Sequence, residues 1–448
     1  MPLSQNSAAL LNNLIRNDVS QTLSGSKRFV RNGRWLGLSN FYNEEASKKV
    51  ANDHASNSVT QPRHLAQYIA VSTLLHCSDG WSYLGRAIQA VLRGDPNRAR
   101  HLAYYAELRA AMSLLASEGI GVFDKKHAII SGPHIAALFP PSNPTHTFVW
   151  DCLANWAQNN RSGSLFSSVI RPYGRSLTEW LLPINGQANL GAQANSWFMQ
   201  WGMDLMMMAD DRTARNHSSY RPEGIPGSWI LASGETSKMV SDIWRLLEPS
   251  PTSPFETLDK YILRLSLESI FKSINGVTSA RGPAFSQFIS NVVAFQSMPE
   301  KISGLWNDFL TRRVDPQDPS ILSLSKQKPN KTSKSAFFMI SRAVLLLRVA
   351  SGSASQTLKD AGFIASDIEF WWTELGPARG LWNDGSTPDS AADLWSDIEV
   401  AISSLKDFDT AHAASGTHSF YNLGLEAGEA VNSLGGFERP MVWSLLPA

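Results

Sequence analysis

The spacing of apolar residues between positions 62 and 118 constrains the fold of this chain more than any other feature. Leu65, Tyr68, Ile69, Val71, Leu74 and Leu75, then Trp81, Leu84, Ile88, Val91 and Leu92, recur three and four apart. That is the period of a helix burying one stripe of its surface, and Gly80 and Gly94-Asp95-Pro96 predict breaks between segments. The third segment, Asn97 to Ser117, alternates large and small residues through Ala103-Tyr104-Tyr105-Ala106. Small side chains let helices approach closely, so it reads as an interior bundle helix. Gly119 to Phe123, then Asp124-Lys125-Lys126, then His127 to Ile130 predicts a short β-hairpin inserted among helices, with His127 structural. Pro144 and Thr145 make a turn and an N-cap for a helix carrying Phe148, Val149, Trp150, Leu153 and Trp156.

Beyond this, helices are expected at 237–247 and, after Glu248-Pro249-Ser250-Pro251, near 256–274, 283–296, 301–311, 334–350, 354–361, 366–375, 389–405 and 419–432. The fold class is therefore all-α. A polar N-terminal arm over 1–60 docks by Trp35, Phe41 and Tyr42, a helical domain spans 61–249, and a second helical domain spans 250–448. The basic stretch with Lys326, Lys328, Lys331 and Lys334 reads as a solvated loop rather than an RNA tether.

Composition narrows the function. Of the 448 residues 43% are hydrophobic and only 18% charged, which excludes global disorder and leaves a sparsely charged surface suited to a partner. A formal net charge of +1 puts no bulk positive field around the molecule, so any nucleic-acid role needs a local basic site. Two cysteines, Cys77 and Cys152, make neither a disulfide framework nor a zinc motif, and a reducing cytoplasm suits them. Met1 to Arg16 lacks the pattern of a signal peptide, and no run of about eighteen apolar residues suggests a membrane span. No internal repeat, phosphate-cradling loop, dinucleotide fingerprint or zinc-protease motif is present, so no cofactor or metal is expected.

Chemistry concentrates in one stretch, Asp210-Asp211-Arg212-Thr213-Ala214-Arg215-Asn216-His217-Ser218-Ser219-Tyr220-Arg221. It follows an apolar run, Asn195 to Ala209, rich in Trp and Met, which would be buried by the core or by a second subunit. A guanidinium binds phosphate bidentately and an imidazole exchanges a proton near neutral pH, so Arg212 and His217 are a minimal kit for cleaving RNA without metal. Five residues of helix turn through roughly 500°, which leaves those side chains about 140° apart. They converge only if the helix begins or frays between them, or if two copies meet across an axis.

Arg212 to His217 resembles the motif of HEPN-domain ribonucleases, an Arg followed four to six residues later by a His. That family occurs in prokaryotic toxin–antitoxin, CRISPR and phage-defence systems. The resemblance implies a compact helical bundle over about 62–248, a homodimer whose two motifs build one composite active site, and RNA as substrate. It implies Arg212 on phosphate and His217 as general acid and base, with Asp211, Arg215, Asn216, Tyr220 and Arg221 supporting. A regulatory protein partner, antitoxin or sensor subunit, would control such an enzyme. The match departs from the family in placing Thr213 after Arg212, where many members have a polar residue, often Asn. A second frame, Arg215-Asn216, has Tyr220 where the histidine would stand.

Two other readings of these residues stay open. Asp210 and Asp211 can pair with Arg215 at helical spacing, His217 can be a satisfied helix-end histidine, and the chain would then be a helical scaffold or adaptor in a larger assembly. Alternatively the site binds RNA without cutting it. A metal held by Asp210, Asp211 and His217 fits less well, because carboxylates beside an arginine favour ion pairing.

Overall fold

The computed structural model describes residues 3–184, 210–216, 231–328, 334–383, 385 and 387–445. These are mostly helical, with one small antiparallel sheet. Three long helices form the centre: Pro62–Leu92, Pro96–Ser117 and Ser335–Asp360. The first two start at a proline in their opening turn, where its missing N–H costs nothing. Asp95 caps the second by accepting from the Arg98 amide at 2.9 Å. Between them the chain reverses at Gly94, whose φ of 73° suits glycine.

The Pro62–Leu92 helix runs unbroken through Gly80, which corrects the expected break there. The reason is packing. A Cβ on Gly80 would stand 2.6 Å from Leu347 Cδ2, so the glycine exists to let the Ser335–Asp360 helix lie close. Gly352 does the same beside Val169, 2.6 Å from where its Cβ would sit, and the two helices expected over 334–361 are one. Helix–helix contact outweighs the intrinsic cost of glycine in a helix, roughly 1 kcal/mol per residue.

The Ser335–Asp360 helix is long and apolar enough to cross a membrane, but 94% of its most apolar stretch is buried inside the protein. Its two buried arginines are paired with carboxylates. Arg348 binds Asp259 at 2.8 and 2.6 Å, and Arg342 holds Asp211 through Nε at 2.6 Å and through Nη2. Helix Ser335–Asp360 packs on both Pro62–Leu92 and Pro96–Ser117, so the buried core is continuous across residue 249.

The sheet has three strands, Ile120–Phe123, Lys126–Gly132 and Ile135–Leu138, in sequence order. The expected hairpin is its first two, paired Ile120 to Ile129 and Phe123 to Lys126; the third strand, with little apolar alternation to announce it, adds after a bulge at Ile130–Gly132. His127 is structural as expected. Its ring stacks on Phe148 at 3.6 Å and burial lowers its pKa to about 4.

Within residues 3–60 the expected polar arm forms helices at Gln5–Asn12, Arg16–Ser24, Lys27–Val30 and Ala46–Ser56. Tyr42 is fully buried and donates to Asp53 at 2.5 Å, and Trp35 packs against Phe363, Phe370 and Trp371. Phe41 stays exposed, so two of the three expected anchors dock. Arg16 fastens this region to the central helix by donating to the Ser353 carbonyl at 2.7 Å and Thr357 Oγ1 at 2.9 Å.

Candidate functional site

Residues 210–216 are helical, and three of their side chains face different surroundings. Asp211 is completely buried and forms the bidentate pair with Arg342. That replaces the pairing with Arg215 allowed by helical spacing, and it makes Asp211 an anchor rather than a substrate contact. Glu107 lies beside the pair, with Oε1 3.6 Å from Arg342 Nε. Burial, then the charge of Asp211, raises the Glu107 pKa well above the ordinary carboxylate value; burial also lifts Asp211, less strongly because Arg342 grips it directly. One cation thus serves two buried carboxylates. Arg342 Nη1 also donates to the carbonyls of Ser325 and Gln327, at 3.1 and 2.8 Å.

With Asp211 pinned inward, Arg212 and Arg215 meet the Pro96–Ser117 helix and the first turn of Thr145–Ala157. Arg212 Nη1 donates to Thr147 Oγ1 at 3.0 Å. Arg215 lies over two rings, 5.3 Å from the centroid of Tyr104 and 5.7 Å from that of Tyr105. It is 7% exposed, and its buried Nε has no hydrogen-bond partner. Among the described residues neither guanidinium is held in an ion pair, in contrast to Arg342 and Arg348. Asn216 is exposed. His217, Tyr220, Arg221 and the apolar run over 195–209 lie outside the described residues, so the expected Arg212–His217 pair does too.

The structure brings other imidazoles to these arginines. His146 Nδ1 is 3.0 Å from the Tyr104 hydroxyl, which also receives a long hydrogen bond from Trp150 Nε1 at 3.4 Å. Burial, then the charges of Arg215 and Arg212, lowers the His146 pKa, so its ring is neutral at pH 7. His101, whose ring lies 5.0 Å from that of Tyr105, is lowered by burial and then by Arg215. The same field reaches Tyr104, although burial dominates there and raises the phenol to about 12. Tyr105 in turn stacks on Tyr83 at 5.4 Å with the planes 27° apart, and Arg86 lies over Tyr83. His146 and Thr147 sit in the first turn of their helix, the end where backbone N–H groups carry partial positive charge.

Sequence reasoning missed His101, His146, Tyr104, Tyr105 and Thr147 as site residues. A weak signal existed: His101, Tyr104 and Tyr105 are spaced as one helix face, and His146 follows a helix start. Nothing in the spacing joins that face to Arg215. Among the described residues no three His, Cys, Asp or Glu side chains stand close enough to hold a metal ion. Compared with known protein families, with curated proteins and with solved structures, the chain matches none.

Proposed function

We propose that this chain binds RNA at the Arg212–Arg215 face and cleaves its phosphodiester backbone without metal. The carrying observation is the convergence of two guanidiniums with a neutral, hydrogen-bonded imidazole: Arg212 bonds the residue next to His146, and Arg215 covers the tyrosine that His146 touches. Arg212 suits the non-bridging phosphate oxygens, and its charge, with that of Arg215 beside it, stabilises the phosphorane in which negative charge builds up. With Nδ1 donating to Tyr104, His146 offers Nε2 to the 2′-hydroxyl as a general base. That oxygen attacks phosphorus, the 5′ oxygen leaves and takes a proton from water, and the products are a 2′,3′-cyclic phosphate and a 5′-hydroxyl. Tyr105 and Tyr83 form a stacking platform beside the phosphate site, as single-stranded RNA recognition requires.

This reading keeps Arg212 from the HEPN resemblance and draws its base from within the same protomer, so a second copy is not needed for the chemistry. A protein with no phosphate-cradling motif to couple it to ATP would rely on a regulatory partner for control. The test is incubation of purified protein with single-stranded RNA in EDTA. Cleavage is expected, with cyclic-phosphate ends, and Arg212→Ala and His146→Ala should each abolish it without altering the thermal melt. Uncut RNA that still binds, with binding lost in Arg212→Ala, would make this a recognition module. Loss of folding in both variants would make the face architectural.

A further inference from the structure

A second constellation lies on other elements. Ser233 opens the helix Ser233–Leu246, and its Oγ is 2.7 Å from His418 Nδ1. On the far side of the same ring, His418 Nε2 is 2.7 Å from Asp409 Oδ1, on the helix Ala391–Ser415. A further contact, 3.2 Å from Ser233 Oγ to the His418 carbonyl, is longer, so the hydroxyl proton is directed at Nδ1. One neutral tautomer satisfies both bonds: Ser233 O–H donates to Nδ1, and Nε2–H donates to the Asp409 carboxylate. That is the proton arrangement of a nucleophile, a base and the acid that orients the base. The two ring nitrogens have exchanged the roles they most often take, and either can accept a proton.

The surroundings fit the same chemistry. Ser233 is 8% exposed and the His418 side chain 14%, enough for a reagent to arrive while water is largely kept from the nucleophile. Among the described residues no side chain caps this helix at Ala232, so the first-turn N–H groups beside Ser233 have no cap acceptor there. The next residue is Gly234, and the nearest atoms to a Cβ placed there would be His418 Cδ2 and Nε2, both at 3.8 Å. Gly234 thus adds no side chain between Ser233 and the His418 ring. Phe408 holds the imidazole edge-on at 5.0 Å. His412, in the same region, is instead occupied by Glu426 at 2.9 Å and Thr417 at 2.7 Å.

We propose that Ser233, His418 and Asp409 form a serine-nucleophile site for acyl esters, independent of the arginine face. Ser233 Oγ attacks the ester carbonyl as its proton passes to His418 Nδ1, and the carbonyl oxygen becomes an oxyanion facing the first-turn amides of Ser233–Leu246. Collapse breaks the bond to the leaving alcohol, which takes the proton from Nδ1 and leaves an acyl-serine. Water then attacks that ester, gives its proton to Nδ1, and the proton returns to Ser233 as the acid departs. Asp409 accepts from Nε2–H and holds the ring throughout.

The test uses the full chain and a small fluorophosphonate, with mass spectrometry to locate the adduct, alongside hydrolysis of 4-nitrophenyl acetate. A single adduct on Ser233 is expected, absent in Ser233→Ala. His418→Gln should slow labelling by about 10²- to 10⁴-fold, the usual span for losing a general base, and Asp409→Asn should slow it while leaving the melt intact. Ser233→Cys, which keeps the volume, should react with an iodoacetamide faster at pH 7 in the presence of His418 than in the His418→Gln background. No adduct on Ser233 in folded wild-type protein, or labelling indifferent to His418→Gln, would overturn the proposal and leave a hydrogen-bonded clamp between two helices.

Discussion

The Glu107–Asp211–Arg342 cluster lets one perturbation be followed quantitatively. Burial and the Asp211 charge oppose ionisation of Glu107, so the folded state keeps a proton there to a higher pH than the unfolded chain does. In the unfolded chain both carboxylates are ionised above about pH 4.5, so unfolding releases that proton. Since the folded state binds more protons, stability is greatest at low pH and falls as pH rises above about 4.5, by up to about 1.4 kcal/mol per pH unit from this site, until the proton is lost in the folded state too. Glu107→Gln keeps the size and a donor toward Asp211 but carries no titrating proton. Urea unfolding followed by tryptophan fluorescence at pH 5, 6, 7 and 8 should show wild type losing stability relative to Glu107→Gln across the series.

Asp211→Asn tests the other half. It removes the bidentate partner, but Glu107, 3.6 Å from Arg342 Nε, can then ionise and take over the charge. The loss is therefore that of charge-assisted hydrogen bonds, about 1.5–3 kcal/mol, with the pH slope gone. The double variant Asp211→Asn, Glu107→Gln strands a buried guanidinium and should cost about 3–5 kcal/mol. A wild-type curve parallel to that of Glu107→Gln at every pH would refute the raised pKa of Glu107. A double variant no worse than Asp211→Asn would refute the takeover.

RNA cleavage should rise with pH along an acid limb whose midpoint lies below 6.5, because burial and two arginines keep His146 unprotonated and a base acts only when neutral; a limb centred above 7 in a pH–rate profile contradicts this. Gly80→Ala should destabilise by about 1–3 kcal/mol in chemical denaturation, since its methyl would meet Leu347 Cδ2 at 2.6 Å between packed helices. Cys77 and Cys152 should resist a disulfide reagent in the native state and react fully in denaturant, because both are buried and burial pushes the Cys77 thiol to about 12.

The helical class of this chain is written in its sequence because a period of 3.6 residues needs only neighbours to be read. Leu65 to Leu92 announce a buried stripe, Pro62 and Pro96 announce starts, and Arg212 and Arg215, three apart, announce a shared face. Gly80 misleads for a physical reason: alone it weakens a helix, and only the nearness of Leu347 shows that it admits a second helix. The candidate sites show the same division. Arg212 is legible as a phosphate ligand, whereas the imidazole beside it, His146, belongs to another helix and is placed by folding. Asp211 could have paired within its own turn, and tertiary structure gives it to Arg342 because a buried guanidinium must find a charge. Ser233, Asp409 and His418 lie far apart along the chain with no motif joining them, and only the packing of Ser233–Leu246 beside Ala391–Ser415 makes them one site. Local periodicity determines what each segment is; which side chains meet depends on long-range packing, which no single segment encodes.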